Sequence, residues 1–299
     1  MKKKVLAIYY SQSGQLSEVV DNFTTPLIGE DISVEKINVK LKNDFSFPWT
    51  SARFFDTMPE SVLGAPIELT SFQLKESKYD LVIFAYQPWF LSPSIPANSI
   101  LQHPAFKTVL KDTPVVTLIG ARNMWLNAQE KVKKALKESG AALVGNIVLI
   151  DKNSNLISAV TILHWMMTGR KDKKWGIFPT PGVANVDILN SKVFGTTVSK
   201  YLKKGIFEGM QSALIKQKAV EVKSNLMFIE PRAGKLFSIW ANVISKKKNR
   251  QGWLVVFKYY LLFALFIVAP VVLLINGIFF KPFLGKQIRL KKQYYLALN

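Results

Sequence analysis

The segment VLAIYYSQSGQLSEVVDNF, residues 5–23, contains the pattern on which the fold prediction depends. Its first six residues, 5–10, are apolar and are predicted to form a buried strand. A short polar loop follows. Apolar residues then recur at the i, i+3, i+4, i+7 spacing of a helix that buries one face: Leu16, Val19, Val20 and Phe23. The segment therefore predicts a strand, a tight loop and a helix in direct succession.

The same alternation continues through residues 1–151. Further strands are predicted at 34–41, 79–86, 114–119 and 142–150, and a charged helix is predicted at 127–139. Strands that alternate with helices indicate a parallel sheet with helices on both faces. Five strands in about 150 residues match the size of a flavodoxin-like, doubly wound unit, whose strand order is 2-1-3-4-5.

In this strand order, ligands bind where the order reverses, beyond the carboxyl ends of strands one and three. The loop after strand one contains Ser11, Gln12, Ser13, Gly14 and Gln15. Its N–H groups and the following helix dipole favour an anion, and Gly14 permits close backbone approach. The chain has neither GxxxxGK[ST] nor GxGxxG here, so a single terminal phosphate, as in FMN, fits best. In the alternative interpretation, Ser13 only caps the helix.

The loops after strands three and four are predicted to reach the same edge of the sheet. They read YQPWFLSPS (86–94) and GARNMW (120–125), and their aromatic side chains offer flat surfaces for an isoalloxazine ring. The alternative is that these aromatics pack the sheet edge against the second half of the chain. The predicted cofactor site consists of Ser11, Gln12, Ser13, Gly14, Gln15, Pro88, Trp89, Phe90, Ser92, Gly120, Arg122, Asn123 and Trp125.

Two resemblances follow from these motifs. SQSGQ before a helix, together with YDLVIFAYQPWFLSPSIP at strand three, resembles the flavodoxin-like NAD(P)H:quinone reductases and related FMN reductases. Over its whole length the chain also resembles the dialkylresorcinol condensing-enzyme family, whose opening strand is similar to VLAIYYSQSGQL. The second resemblance implies an FMN-dependent aromatase of dialkylresorcinol, flexirubin and aryl-polyene biosynthesis. It would convert a dialkylcyclohexanedione made by a partner ketosynthase into a dialkylresorcinol.

Such chemistry needs a base and a group that stabilises an enolate oxygen. Arg122 is the candidate for the second role, and His103, His164 and Tyr86 are candidate bases. One alternative function is a membrane-associated quinone reductase that uses NAD(P)H, and another is a flavodoxin-type electron carrier. Because the chain has no cysteine and only two histidines, thiol chemistry is excluded and we expect no metal site.

The C-terminal region combines basic charge with apolar sequence. Residues 200–299 contain 18 Lys and Arg but only 3 Asp and Glu, so most of the net charge of +20 lies there. Residues 259–280 are 22 residues without a charge, and at ~1.5 Å per residue they could span a ~30 Å hydrocarbon core. This pairing favours an anionic lipid membrane over nucleic acid. A single span, a hairpin bent near Pro270 and a helix of the soluble core are the alternatives.

Three regions are therefore predicted: an FMN-binding domain at 1–151, a helical substrate or cap extension at 152–248, and a membrane-associating segment at 249–299. Within the extension, residues 156–167 are too short to span a membrane and suit an interfacial helix, a channel wall or a core helix. The N-terminal apolar run is too short for a signal peptide. We therefore expect the protein at the cytoplasmic face of the inner membrane, acting on a lipophilic cyclic diketone or quinone.

Overall fold

The centre of the molecule is a five-stranded parallel sheet. The computed structural model describes residues 2–298. The strands are β1 (Lys3–Tyr9), β2 (Ile32–Asn38), β3 (Leu81–Tyr86), β4 (Pro114–Ala121) and β5 (Ala142–Ile150). Their order is β2-β1-β3-β4-β5, and every neighbouring pair is parallel. The predicted flavodoxin-like order 2-1-3-4-5 is confirmed.

Helices cover both faces of the sheet. They are α1 (Gln15–Thr24), α2 (Ser51–Asp56), α3 (Met58–Leu63), α4 (Ile95–Gln102), α5 (Pro104–Leu110), α6 (Leu126–Glu138), α7 (Asn155–Thr168), α8 (Asn185–Lys204), α9 (Met210–Lys216), α10 (Ser224–Ser245), α11 (Gln251–Phe283) and α12 (Gly285–Leu296). One face packs against α1, α8 and α9, and the other against α4, α5, α6 and the start of α10. Because both faces are covered, every residue of β3 is buried.

The helical extension joins this core. Its helices α8 and α9 pack on the same face of the sheet as α1, through buried side chains such as Val198, Leu202 and Leu214. Helix α9 is short, Met210–Lys216. The predicted domain boundary at residue 151 rests on a change of sequence pattern and stays a prediction.

The apolar tail forms one continuous helix, α11, that is long and apolar enough to cross a membrane. Its 33 residues pass through Pro270 without a break, so the bend that the hairpin alternative requires is not found. Wider π-helical turns at Ala264–Val268 and Asn276–Phe280 interrupt the regular α-helix. A π-helical turn beside a proline accommodates the missing N–H while the helix axis continues.

Candidate functional site

The loop between β1 and α1 caps the N-terminus of α1 only in part, since a side chain accepts just one of its first N–H groups. Gly14, with φ of +86°, occupies the N-cap position, and no side chain bonds to the first turn from there. Ser11 Oγ accepts the Ser17 N–H at 3.2 Å. The interpretation in which Ser13 caps the helix is therefore wrong. The first N–H groups of a helix have no acceptor within it, so this loop can bind an anion.

The Gln15 side chain has a different partner from the predicted phosphate. Its Nε2 donates to the Val183 carbonyl at 3.1 Å, and its Oε1 accepts the Val183 N–H at 3.1 Å. Both bonds hold the loop at 178–183 against the start of α1. Gly182 approaches so closely that an added Cβ would lie 2.7 Å from Gln15 Oε1 and 2.9 Å from Trp165 Cζ3. Only the backbone of Gln15 is left for an anion.

A tight hairpin follows β3, with Pro88–Trp89 paired to Ser92–Pro93. Its two turn residues, Phe90 and Leu91, have φ of +47° and +60°. Positive φ is a strained conformation for large side chains, and it persists where the surrounding structure enforces it. Phe90 and Leu91 both belong to an apolar cluster with α10 and α11, and these contacts enforce the turn.

The hairpin separates the residues predicted to lie along a flavin. Trp89 packs edge-on against Phe45 and Trp49, with ring centroids 5.2 and 5.1 Å away. Phe90 instead packs toward α10 and α11. Ser92 is buried, and its Oγ accepts a hydrogen bond from Lys131 Nζ at 2.8 Å. Pro88 and Trp89 are half-buried. Trp89 packs against a cluster that contains Tyr10, after β1, and Leu41, after β2, so it is the aromatic side chain of this hairpin that faces those two loops.

The loop after β4 is tied to the start of α7. Arg122 Nη1 donates to the carbonyl and the Oδ1 of Asn155 at 3.0 and 2.9 Å, and Asn123 Nδ2 donates to the same Oδ1 at 2.7 Å. Burial lowers the pKa of Arg122 to about 10, although the charges of Asp151 and Glu230 oppose this shift. Arg122 therefore remains a cation at neutral pH. At Gly120 the end of β4 approaches Leu16 of α1, since an added Cβ would lie 3.3 Å from Leu16 Cδ1.

Glu230 is a buried acid that the sequence analysis missed. Its carboxylate, on α10, accepts the N–H groups of Trp125 and Asn127 at 3.1 Å each, at the N-terminus of α6. Burial raises its pKa to about 8, while these N–H groups and Arg122 oppose the shift. Trp125 itself is almost fully buried, so its ring lies in the core and not at the surface of a site. A single acid within the apolar run MFIEP was the available signal.

The three candidate bases lie apart from one another. The Tyr86 hydroxyl is fully buried and donates to Gln129 Oε1 at 2.8 Å, and burial raises its pKa, which disfavours it as a base. His103 lies between α4 and α5, with its ring 4.7 Å from that of Phe72. His164 lies on α7, and its Nε2 is 3.0 Å from Oδ1 of Asp172 in the following loop. The structure does not bring these side chains together around Arg122.

Three buried amide atoms, on the loops after β1, β3 and β4, have no protein partner among the described residues. They are Gln12 Nε2 after β1, Gln87 Nε2 after β3 and Asn123 Oδ1 after β4. Buried polar atoms in native proteins nearly always have a hydrogen-bond partner. Two amide donors and one acceptor on three adjacent loops therefore fit a polar ligand. Gln87 was missed in the sequence, although it directly follows a predicted strand.

The strand order and these loops define the class of the protein: it has the flavodoxin-like fold. No protein-family model and no curated protein matches the chain. Among solved structures it is similar to a flavoprotein from Lactobacillus acidophilus NCFM in complex with FMN, at 17% identity and a TM-score of 0.40, covering 49% of this chain and 93% of that one. It is also similar to a protein from Bacteroides eggerthii DSM 20697 proposed to be a flavoprotein, at 16% identity and a TM-score of 0.39, covering 54% and 98%. These low values concern the fold and carry no argument about function.

Proposed function

We propose that this chain is an FMN-dependent oxidoreductase. The observation that carries the proposal is the set of three unpartnered amide atoms, on Gln12, Gln87 and Asn123. A buried polar atom without a partner costs ~1–3 kcal/mol, and a ligand that bonds it recovers this cost. A flavin has carbonyl oxygens and ring nitrogens that accept hydrogen bonds and one ring N–H that donates. It therefore matches two amide donors and one carbonyl acceptor.

The phosphate of FMN would be held at the start of α1. The uncapped N–H groups there, and the hydroxyls of Ser11 and Ser13, can donate to its oxygens. The loop at 178–183, fixed by Gln15, covers this end of the helix. When bound, FMN supplies a two-electron acceptor for a hydride. We expect non-covalent binding, and attachment through cysteine is excluded because the chain has none.

The substrate we propose is a lipophilic 2,5-dialkylcyclohexane-1,3-dione, oxidised to a dialkylresorcinol. The net change is the loss of two hydrogens: one leaves as a proton from the carbon next to a carbonyl, and the other leaves as a hydride from the adjacent carbon. Tautomerisation then gives the aromatic ring. Support comes from the resemblance of the opening strand, VLAIYYSQSGQL, to the dialkylresorcinol condensing-enzyme family, and from the contact between the hairpin after β3 and the apolar helix α11.

Arg122 is the residue of this chain best placed to assist that proton loss. Its guanidinium is held on Asn155 beside the unpartnered Asn123 amide oxygen. A buried cation stabilises negative charge that develops on a nearby enolate oxygen. The geometry does not single out a base, and Tyr86 is disfavoured because its hydroxyl is committed to Gln129.

The test uses purified full-length protein in detergent or lipid. First, FMN content and FMN affinity are measured; protein that neither carries nor binds FMN contradicts the whole proposal. The holoprotein is then mixed without oxygen with a dialkylcyclohexanedione, and separately with a quinone and NADPH. One resorcinol formed per flavin reduced supports the aromatase. Quinone-dependent oxidation of NADPH, with no reaction of the dione, identifies a membrane quinone reductase instead.

A flavodoxin-type electron carrier is the third possibility that this experiment separates, because a carrier would react with neither substrate. The charge of the chain counts against it. Flavodoxin-type carriers usually present acidic surfaces to their partners, whereas this chain has 40 Lys and Arg and 20 Asp and Glu.

A further inference from the structure

Both ends of the apolar helix α11 are attached to the same globular body. At its start, Arg250 bonds to Asp56 Oδ1 at 2.7 Å and to Glu60 Oε1 at 2.5 Å. Leu254 and Phe257 are buried there, with the Phe257 ring 5.6 Å from that of Phe237 on α10. These contacts fix the first two turns of α11 beside α2, α3 and α10.

Beyond its far end, the chain returns to the sheet. α12 begins two residues after α11 ends, and it packs on α10 and α6. Three hydrogen bonds fix it: Tyr294 Oη to Glu130 Oε2 at 2.5 Å, Lys133 Nζ to the Ala297 carbonyl at 2.8 Å, and Gln211 Nε2 to the Leu296 carbonyl at 3.2 Å. Between the two ends, the segment Ala269–Ile275 also contacts α10, and Asn276 is only 7% exposed.

A helix that crosses a bilayer places its two ends on opposite sides of a ~30 Å hydrocarbon core. Here, the start and the middle of α11 contact α10, and α12, which directly follows the far end of α11, contacts α10 and bonds to α6. A bilayer cannot be inserted between those contacts without breaking them. The attachment therefore excludes a transmembrane orientation for α11 in this conformation.

The outer side of α11 presents a long apolar stripe. Its residues recur every three or four positions, as required for one face of a helix. They are Val256, Tyr259, Phe263, Ile267, Val271, Leu274 and Ile278, and each is more than half exposed. At ~1.5 Å per residue the stripe is roughly 33 Å long. An exposed apolar surface of this size marks a site of association.

Exposed cations lie at both ends of the stripe. Lys246, Lys247 and Lys248 precede it, and Lys281, Lys286, Arg289, Lys291 and Lys292 follow it. Trp253 lies beside the first group, with Lys247 Nζ 4.7 Å from its ring. Two copies of the chain packed stripe to stripe, parallel or antiparallel, would bring these cations together. The charge pattern therefore fits an anionic lipid surface better than a second copy.

We propose that α11 is an in-plane anchor: it lies parallel to an anionic bilayer, with the stripe from Val256 to Ile278 at the boundary between headgroups and acyl chains. The lysines at its two ends bind the headgroups on one and the same side. This inference rests on the membrane association in the proposed function, but it does not depend on FMN. It also places the hairpin after β3 near the lipid, because the Phe90 ring is 6.3 Å from that of Phe257.

The absence of native cysteine makes a sidedness test direct. Two single-cysteine variants, Lys248→Cys and Lys286→Cys, are bound to closed vesicles of phosphatidylcholine and phosphatidylglycerol and treated with a membrane-impermeant thiol reagent. We expect complete labelling of both cysteines, with no increase when detergent is added. Labelling of one of them only after detergent would show that α11 spans the bilayer and would overturn the proposal.

Depth and lipid dependence complete the test. A polarity-sensitive fluorophore at Ile267→Cys and at Ile278→Cys should report the same shallow depth, whereas a spanning helix would place position 267 much deeper. The inward-facing Leu261→Cys is the matched control and should change little on vesicle binding. Failure to bind the vesicles, with dimers formed in their place, would also overturn the proposal. FMN content is measured on the same samples, so loss of the cofactor is recognised separately.

Discussion

Replacing Gly182 by alanine should disconnect the loop at 178–183 from the start of α1. The φ of Gly182 is +81°, and a Cβ would lie 2.7 Å from Gln15 Oε1 and 2.9 Å from Trp165 Cζ3. The left-handed conformation costs an alanine ~1–2 kcal/mol. Displacing Gln15 also breaks its two bonds to Val183, at ~1 kcal/mol each. We expect Gly182→Ala to lower the free energy of unfolding by about 3–4 kcal/mol.

Gly176→Ala is the matched control for this substitution. Gly176 also has a positive φ, of +73°, but an added Cβ there meets nothing within 4 Å. It should therefore show only the conformational cost of ~1–2 kcal/mol, reduced by the lower entropy of the unfolded chain. Both variants are measured by urea denaturation, and their FMN affinities by fluorescence titration. Equal destabilisation of the two variants would refute the role of the contact between Gly182 and Gln15.

Three further predictions concern the site and its support. Gln12→Ala and Gln87→Ala should each weaken FMN binding, measured by titration, without lowering the stability of the apoprotein, measured by denaturation. Unchanged FMN affinity in both variants would contradict the proposal that these amides bind the flavin ring. Phe257→Ala should lower the free energy of unfolding by ~3–5 kcal/mol, because the side chain is fully buried, whereas Tyr259→Ala, on the exposed stripe, should change it by less than ~0.5 kcal/mol in detergent. Burial raises the pKa of Glu230 from 4.5 to about 8, so the folded protein binds its proton more tightly than the unfolded chain does. This proton binding contributes its full stabilisation below pH 4.5, and the stabilisation is lost as the pH rises through 8. Unfolding from pH 5 to 8 should therefore show a loss of stability in the native protein that Glu230→Gln lacks, and parallel pH profiles would contradict the shifted pKa.

The strands could be predicted because each is a continuous apolar run in a sheet covered on both faces. The strand predicted at 142–150 coincides with β5. The end predicted for β3 and the start predicted for β4 also agree with the structure, and the remaining strand ends differ by one to three residues. The short helices α2 and α3 were missed, since six residues each give too little periodicity. α10 was missed because its sequence contains Glu230 and Pro231, and it is stabilised by contacts with α3 and α6.

The sequence could indicate which loops meet at the site, since strand order determines that. It could not indicate which side chains of these loops form hydrogen bonds with distant parts of the chain instead of with a ligand. Gln15 bonds to Val183, 168 positions away, and Trp125 bonds through its N–H to Glu230, 105 positions away. Val183 gave no sign of its partner, and the position of Glu230 in an apolar run indicated burial but not which group it bonds. Pairings over such separations depend on how α7 to α10 fold back over the sheet edge, and no local pattern encodes that.

The start of α11 and the hairpin after β3 share one apolar cluster, and this changes how the tail must be interpreted. Phe90 and Leu91 hold a strained turn, and the residues that enforce it include Leu254 and Phe257 of α11. Removing the chain after Lys248 would therefore also remove Arg250 from Asp56 and Glu60, and it would release the hairpin beside the proposed flavin site. The tail therefore has a structural role in addition to the membrane association proposed for it. In the proposed in-plane orientation, the helix that contacts lipid is also the helix that supports this hairpin.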